Sequence, residues 1–273
     1  MNIHPVGIFD SGVGGLSVLS EIAKQLPQEE YYYVADQAHV PYGSRSIHDV
    51  REFSEEITRF LLSKEVKLVV IACNTASAAA LNYLRDKFPQ IPFVGMEPAV
   101  KPAAEGTISG VVGVLATPAT FQGELYTSVL ERFANGVMVL QDTCPGLVSQ
   151  IEKGEIHSSE TRTILENALH PMIQKGIDRV VLGCTHYPFI IPLIQEIVGP
   201  QIEVIDPSPA IARQVLRVLE RNNLLNLAGE SGSVNFFSTG NGSLLKTFLN
   251  QLMDINTNAQ QLIWKDGELT EGY

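Results

Sequence analysis

Tryptophan occurs once in the 273 residues, cysteine three times, and charged side chains make up only 18% of the chain. The cysteines lie far apart and are odd in number, which argues against a disulfide framework, and all three are expected to be free thiols. Basic residues are outnumbered 19 to 30 by acidic ones, giving a formal net charge of −11 and a pI near 5.0. No basic cluster offsets that charge, so a nucleic-acid partner is not expected. The apolar runs are too short to cross a bilayer, and no membrane role is expected either. The opening MNIHP has no basic flank and leads directly into a strand-like segment. It fits neither a secretory signal nor a transit peptide, which makes the cytoplasm the expected location. Pro/Gly/Ser tracts, low-complexity stretches and long charge runs are absent as well.

What is present is 45% hydrophobic residues at a mean hydropathy of +0.09, the composition of a well-packed globular chain. At this length two domains are expected. Strand-like apolar runs alternate with helix-like stretches, the pattern of a parallel sheet covered by helices. The series occurs twice. GIFD, YYYVAD, LVVIAC and PFVGME end at Asp10, Asp36, Cys73 and Glu97; VVGVLAT, GVMVLQD, RVVLGC and IEVID end at Thr117, Asp142, Cys184 and Asp206. Corresponding ends are 107, 106, 111 and 109 residues apart, a near-constant shift that points to internal duplication. The expected fold is therefore α/β, with two pseudo-symmetric domains, each a mostly parallel sheet flanked by helices, and a site in the cleft between them. Residues 99–207 form the second domain. The first comprises 1–98 together with 208–273, a tail read as a helix (Pro209 to Leu219), a strand (Val234 to Phe237) and a helix (Leu244 to Met253), with Asn241 and Ser243 as possible caps.

The best-matched pair of segments is VVIACNT and VVLGCTH, each a β-branched run ending in cysteine. In open α/β sheets the ligand crevice lies beyond the carboxyl ends of the strands, so Cys73 and Cys184 are expected to face crevices rather than cores. Each precedes an expected helix, Thr75 to Phe88 and Phe189 to Val198, whose first N–H groups favour a thiolate and lower the free thiol pKa of about 8.5. One thiol acting as base and its twin as acid could invert a carbon lying between them, which is the chemistry an amino-acid racemase needs. Taken singly, either cysteine reads as a small buried hydrophobe; their matched positions favour a shared role. Cys144 has no counterpart in the first half and reads as a packing residue.

Asp10 opens the run DSGVGG, whose glycines let backbone approach a ligand and aim N–H groups at an anion. A substrate carboxylate with Ser11 donating fits there; a simple helix N-cap is the plainer reading of Asp10. His186 stands two residues after Cys184, where it could orient or protonate, or be an ordinary structural histidine. Glu152, between Ile151 and Lys153, reads on pattern alone as part of a solvated helix face. Two other classes compete: a zinc hydrolase with Cys73, Cys184, His186 and Asp10 as ligands, although the spacing lacks the short Cys/His pair usual for zinc, and a two-lobed binding module needing no reactive thiols.

In these segments the chain resembles the glutamate racemases of the aspartate/glutamate racemase superfamily: GIFDSGVGG, VPYGS, ACNTASA and GCTHYP match that family's signatures in order, over almost the whole length. The resemblance implies a cofactor-independent, pyridoxal-free and metal-free enzyme that interconverts L- and D-glutamate through two bases and supplies D-glutamate for peptidoglycan. It implies Cys73 as the base acting on D-glutamate, Cys184 as the base acting on L-glutamate, and Asp10, Glu152 and His186 as auxiliary groups. Substrate contacts would fall on Asp10, Ser11, Pro41, Tyr42, Gly43, Asn74, Thr75, Thr117, Thr120, Thr185 and His186. Glutamate is the implied small-molecule partner, a homodimer is common in such enzymes, and aspartate is the nearest rival substrate. One departure is the stretch CPGLVSQIEKGE, which lacks a second proline that the family often carries before the glutamate.

Overall fold

The computed structural model of the chain describes residues 3–229 and 231–272; the outermost ends of the expected first domain, Met1, Asn2 and Tyr273, lie outside the described residues, as does Glu230. Eight strands carry the duplicated series. β1 (Val6–Asp10), β2 (Tyr31–Ala35), β3 (Leu68–Ile71) and β4 (Phe93–Gly95) come from the first half, and β5 (Val111–Ala116), β6 (Met138–Asp142), β7 (Arg179–Gly183) and β8 (Glu203–Ile205) from the second. Both quartets are parallel and have the same spatial order, β2-β1-β3-β4 and β6-β5-β7-β8. The registers correspond too: Phe9 pairs with Ile71 at the end of β1–β3, and Ala116 with Gly183 at the end of β5–β7.

The strands read as continuous apolar runs because helices cover both faces. Val6, Ile8, Leu68 and Val70 point into one core, whereas Phe9, Val69 and Ile71 point into another on the opposite face of the sheet. In the second half Val112, Val114 and Val181 fill a third core, and Leu115, Val180 and Leu182 return to the first. That first core therefore runs unbroken from one sheet to the other.

The tail adds a helix, Ser208–Arg221, a strand β9 (Val234–Ser238) paired in parallel with β2, and a helix, Gly242–Met253, whose N-cap is Asn241. Beyond these the sequence reading had no element, yet a hairpin follows, β10 (Gln260–Lys265) and β11 (Glu268–Glu271), which extends the first sheet to seven strands. Asp266 and Gly267 at its tip both have positive φ, 51° and 83°, as a two-residue Asp-Gly hairpin turn requires. No helix among the described residues is long and apolar enough to cross a membrane.

Candidate active site

β3 ends one residue short of Cys73, which becomes the N-cap of the helix Asn74–Lys87, its Sγ accepting from the Ala76 amide at 3.5 Å. Its Sγ also lies 3.9 Å from Ser11 Oγ. The expectation that a helix start would lower this thiol's pKa does not hold. Burial pushes it well above its ordinary value of 9.0, the Asp10 carboxylate adds to the rise, and the single amide contact does not compensate. Asp10 is itself fully buried, and burial raises its carboxyl above the ordinary 3.8 against the opposing pull of His186 and of the Gly15 amide. It is not a helix N-cap. Gly15 occupies that place for the helix Leu16–Gln25 and donates its N–H to Asp10 Oδ2 at 2.8 Å.

The second cysteine is built differently. After β7 and Cys184 comes a 3-10 turn, Tyr187–Ile190, and the α-helix begins only at Ile191. Cys184 thus lacks the N-cap amide given to Cys73 and meets a side chain instead: its Sγ is 3.7 Å from His186 Nδ1. His186 Nε2 is 2.6 Å from Glu152 Oε1, which also accepts from the Val13 amide at 2.8 Å. Burial alone would lower the imidazole pKa, but hydrogen bonds to Cys184 and Glu152 hold it well above 6.5. Burial acts on Glu152 in the raising direction, and its bonds to His186 and Val13 bring it below 4.5. The solvated-face reading of Glu152 is therefore overturned, since its side chain is only 10% exposed and its partner is 34 residues away.

The glycine run also has a packing task that its pattern does not announce. A Cβ on Gly12 would lie 2.0 Å from Glu152 Oε1, and one on Gly14 would lie 2.6 Å from both His186 Nδ1 and Thr185 Oγ1. Those glycines bring the first half's backbone against side chains of the second half. The amides of Val13 and Gly15 are spent on Glu152 and Asp10, not left free for a substrate anion. Ser17 Oγ donating to Thr185 O at 3.2 Å and Thr185 Oγ1 donating to Asp10 at 3.4 Å complete the seam.

Both cysteines line one cavity between the two sheets, with Ser11, Pro41, Tyr42, Gly43, Asn74, Thr75, Thr117, Thr185 and His186 from the expected set. Val148 and Gly183 line it too, and neither was singled out in the sequence, where nothing separates them from core residues. Asp10, Glu152 and Thr120 stand behind this lining, Thr120 joined to it by Thr117 Oγ1 at 2.9 Å, which in turn meets Thr75 Oγ1 at 2.9 Å. Asn74 is the notable member. Its side chain is buried, yet neither amide atom has a hydrogen-bond partner, an arrangement that a polar ligand would satisfy. Space for the centre of a water molecule amounts to about 10 Å³, room for roughly one water. Cys144 is buried in the wall of a neighbouring cavity beside Tyr187. Among the described residues no group of three His, Cys, Asp or Glu side chains could hold a metal ion, so the zinc-hydrolase alternative has no donor set.

The chain as a whole is similar to known proteins. The chain is 48% identical over 261 residues to the glutamate racemase of Pseudomonas paraeruginosa, spanning 96% of this chain and 97% of that one. To the glutamate racemase of a Roseiflexus species it is 47% identical over 250 residues, 91% and 92% of the two chains. Among solved structures, a glutamate racemase isoform from Bacillus anthracis superposes with a TM-score of 0.85 at 30% identity, covering 98% of this chain and all of that one. The Escherichia coli glutamate racemase, solved in complex with L-glutamate and the activator UDP-MurNAc-Ala, gives 0.80 at 32% identity over 91% and 95%. A family profile described as Asp/Glu/Hydantoin racemase matches residues 7–215. With the duplicated sheets, the paired thiols and this match over most of its length, the chain belongs to the Asp/Glu/hydantoin racemase family.

Proposed function

We propose that this protein racemises glutamate, interconverting the L and D enantiomers without an added cofactor, and that Cys73 and Cys184 are the two bases. The single observation that carries the reading is that the two cysteines at matching ends of duplicated strands, β3 and β7, line one narrow cavity. One thiolate removes the α-proton, the carbanion is held by fixed dipoles, and the opposite thiol returns a proton to the far face. Each turnover leaves the pair with its proton exchanged from one sulfur to the other, so the enzyme is ready for the reverse direction.

Cys73 acts on D-glutamate with Asp10 behind it, and Cys184 acts on L-glutamate with the His186–Glu152 pair behind it. The raised pKa of Cys73 suits a thiol that waits as an acid, and a substrate ammonium entering beside it would favour ionisation. Asn74, whose amide has no protein partner, and the Thr75–Thr117 hydroxyl pair hold the substrate's carboxylates by hydrogen bonds. Because the cavity has room for little more than one water, admitting glutamate requires the two halves to move apart, and their return excludes solvent during proton transfer.

We take the domains as residues 1–98 with 208–273 and residues 99–207, the product as D-glutamate for peptidoglycan in a bacterial cytoplasm, and the assembly as a homodimer, these resting on the family likeness. A polarimetric assay with D- and L-glutamate against D- and L-aspartate, with no cofactor added, tests the substrate. Loss of optical rotation with both glutamate enantiomers and little with aspartate is expected; turnover of aspartate in preference to glutamate would refute the assignment.

A further inference from the structure

The C-terminal hairpin contributes nothing to the cavity lining, yet one of its side chains ends on a carboxylate that also holds the cavity wall. We propose that Trp264 is a positioning residue for glutamate binding, acting through Asp36 on Tyr42; this rests on the glutamate reading given above.

Asp36 follows β2 and is fully buried. Its Oδ1 accepts from Trp264 Nε1 at 2.8 Å and from Thr239 Oγ1 at 2.7 Å. Its Oδ2 accepts from Tyr42 OH at 2.7 Å and lies 2.9 Å from His39 Nδ1. Four partners thus converge on one buried carboxyl group, two of them from the tail. A buried carboxylate depends on each such bond, since losing a donor leaves one of its oxygens short of a partner. The rings around it fix the arrangement. His39 stacks on Phe53 at 3.8 Å, and Trp264 meets His39 edge-on at 5.0 Å and Phe53 at 5.7 Å. Tyr42 packs on the same Phe53 at 5.7 Å.

Tyr42 and Gly43 form the part of the wall that abuts the second half. A Cβ on Gly43 would come within 2.8 Å of Thr117 Cβ, so no slack exists at that contact. Where Asp36 sits therefore determines where this wall stands when the cavity closes, and Trp264 and Thr239 determine where Asp36 sits. Trp264 itself touches none of the reacting groups, so its influence should fall on substrate binding rather than on proton transfer.

Trp264 is the only tryptophan in the chain, so emission excited on the red edge, where tyrosine does not absorb, reports this hub alone. Titration of the intact wild-type protein with glutamate should change that emission saturably, with a midpoint matching KM. Trp264→Phe keeps a ring in place but removes the N–H donor, and Thr239→Val removes the other donor to the same oxygen. Each should raise KM for glutamate roughly three- to tenfold while kcat stays within about twofold. Combined with Tyr42→Phe, either change should add less than it does alone, because all act through one carboxylate. Wild-type KM in both donor variants, or a full additive effect on top of Tyr42→Phe, would overturn the proposal. Wild-type protein that fails to turn over glutamate at all would instead overturn the functional reading on which it rests.

Discussion

At the scale of single residues, the two thiols have unlike surroundings, and that difference has measurable consequences. Cys73 is paired with a carboxyl whose pKa is raised by burial, Cys184 with an imidazole whose pKa is raised by its hydrogen bonds to Cys184 itself and to Glu152. Replacing either cysteine by serine should lower kcat in both directions by roughly 10²- to 10⁴-fold, the usual span for a lost acid or base, as a coupled D- or L-glutamate assay would read. For the His186–Glu152 pair the sign of the pH effect follows from both shifts. Glu152, held below 4.5, contributes stability that is present above that value and is lost as pH falls through its lowered pKa. His186, held above 6.5, contributes stability present below 6.5 and lost as pH rises through its raised pKa. Scanning calorimetry of Glu152→Gln should accordingly show its largest Tm deficit between pH 4.5 and 6.5 and a shrinking one in stronger acid. A deficit that does not vary with pH would mean the pair is not ionised.

At the scale of elements, the tightest junctions are glycine contacts and one buried ion pair. Gly12→Ala and Gly14→Ala would drive a methyl into Glu152 and His186, costing about 1–3 kcal/mol in denaturant unfolding along with most of the activity. Gly229, with nothing near its would-be Cβ, should accept alanine within about 0.5 kcal/mol. Lys67 Nζ lies 2.5 Å from Glu29 Oε2 with both side chains 1% exposed, and Glu29 also accepts from the Asn226 amide, so this carboxylate ties the strand starts to the tail. Lys67→Met leaves a buried carboxylate without its cation and should cost about 3–5 kcal/mol in urea unfolding.

Legibility of these elements in the sequence depended on how local their cause was. The eight duplicated strands and the two cysteines could be read because each strand is announced by its own apolar run, β-branched in the two that lead to the cysteines. Glu152 was reached only through the family resemblance and not from its own pattern, since the contacts that define it, His186 and the Val13 amide, are distant in the chain. The helix after Cys184 was expected too early because the Tyr187–Ile190 turn continues its apolar run without a break. The hairpin at 260–271 buries few side chains and shows little alternation, but its Asp266-Gly267 turn is a local signal that would have revealed it. The role of DSGVGG was half legible: close approach was foreseen, but not that Gly12 and Gly14 also bring this backbone against Glu152, His186 and Thr185 of the second half.

For the whole molecule, duplication explains the symmetry of the scaffold and the placing of two thiols at one cavity. Two quartets of strands in the same order present their cysteines to one cavity, and a core shared between the sheets holds them there. Cys73 and Cys184 are 5% and 6% exposed, so alkylation should be slow, limited by opening, and slowed further by glutamate, as mass spectrometry of the labelled thiols would report. Labelling that is indifferent to glutamate would speak for a binding module with incidental thiols.

The claim that two sulfurs flank one stereocentre is tested most directly by a single turnover in heavy water, started separately from L- and D-glutamate. In each direction the product enantiomer should carry solvent deuterium at Cα while recovered substrate remains protiated. Deuterium appearing early and equally in substrate and product would mean that one base serves both faces, and would contradict the account.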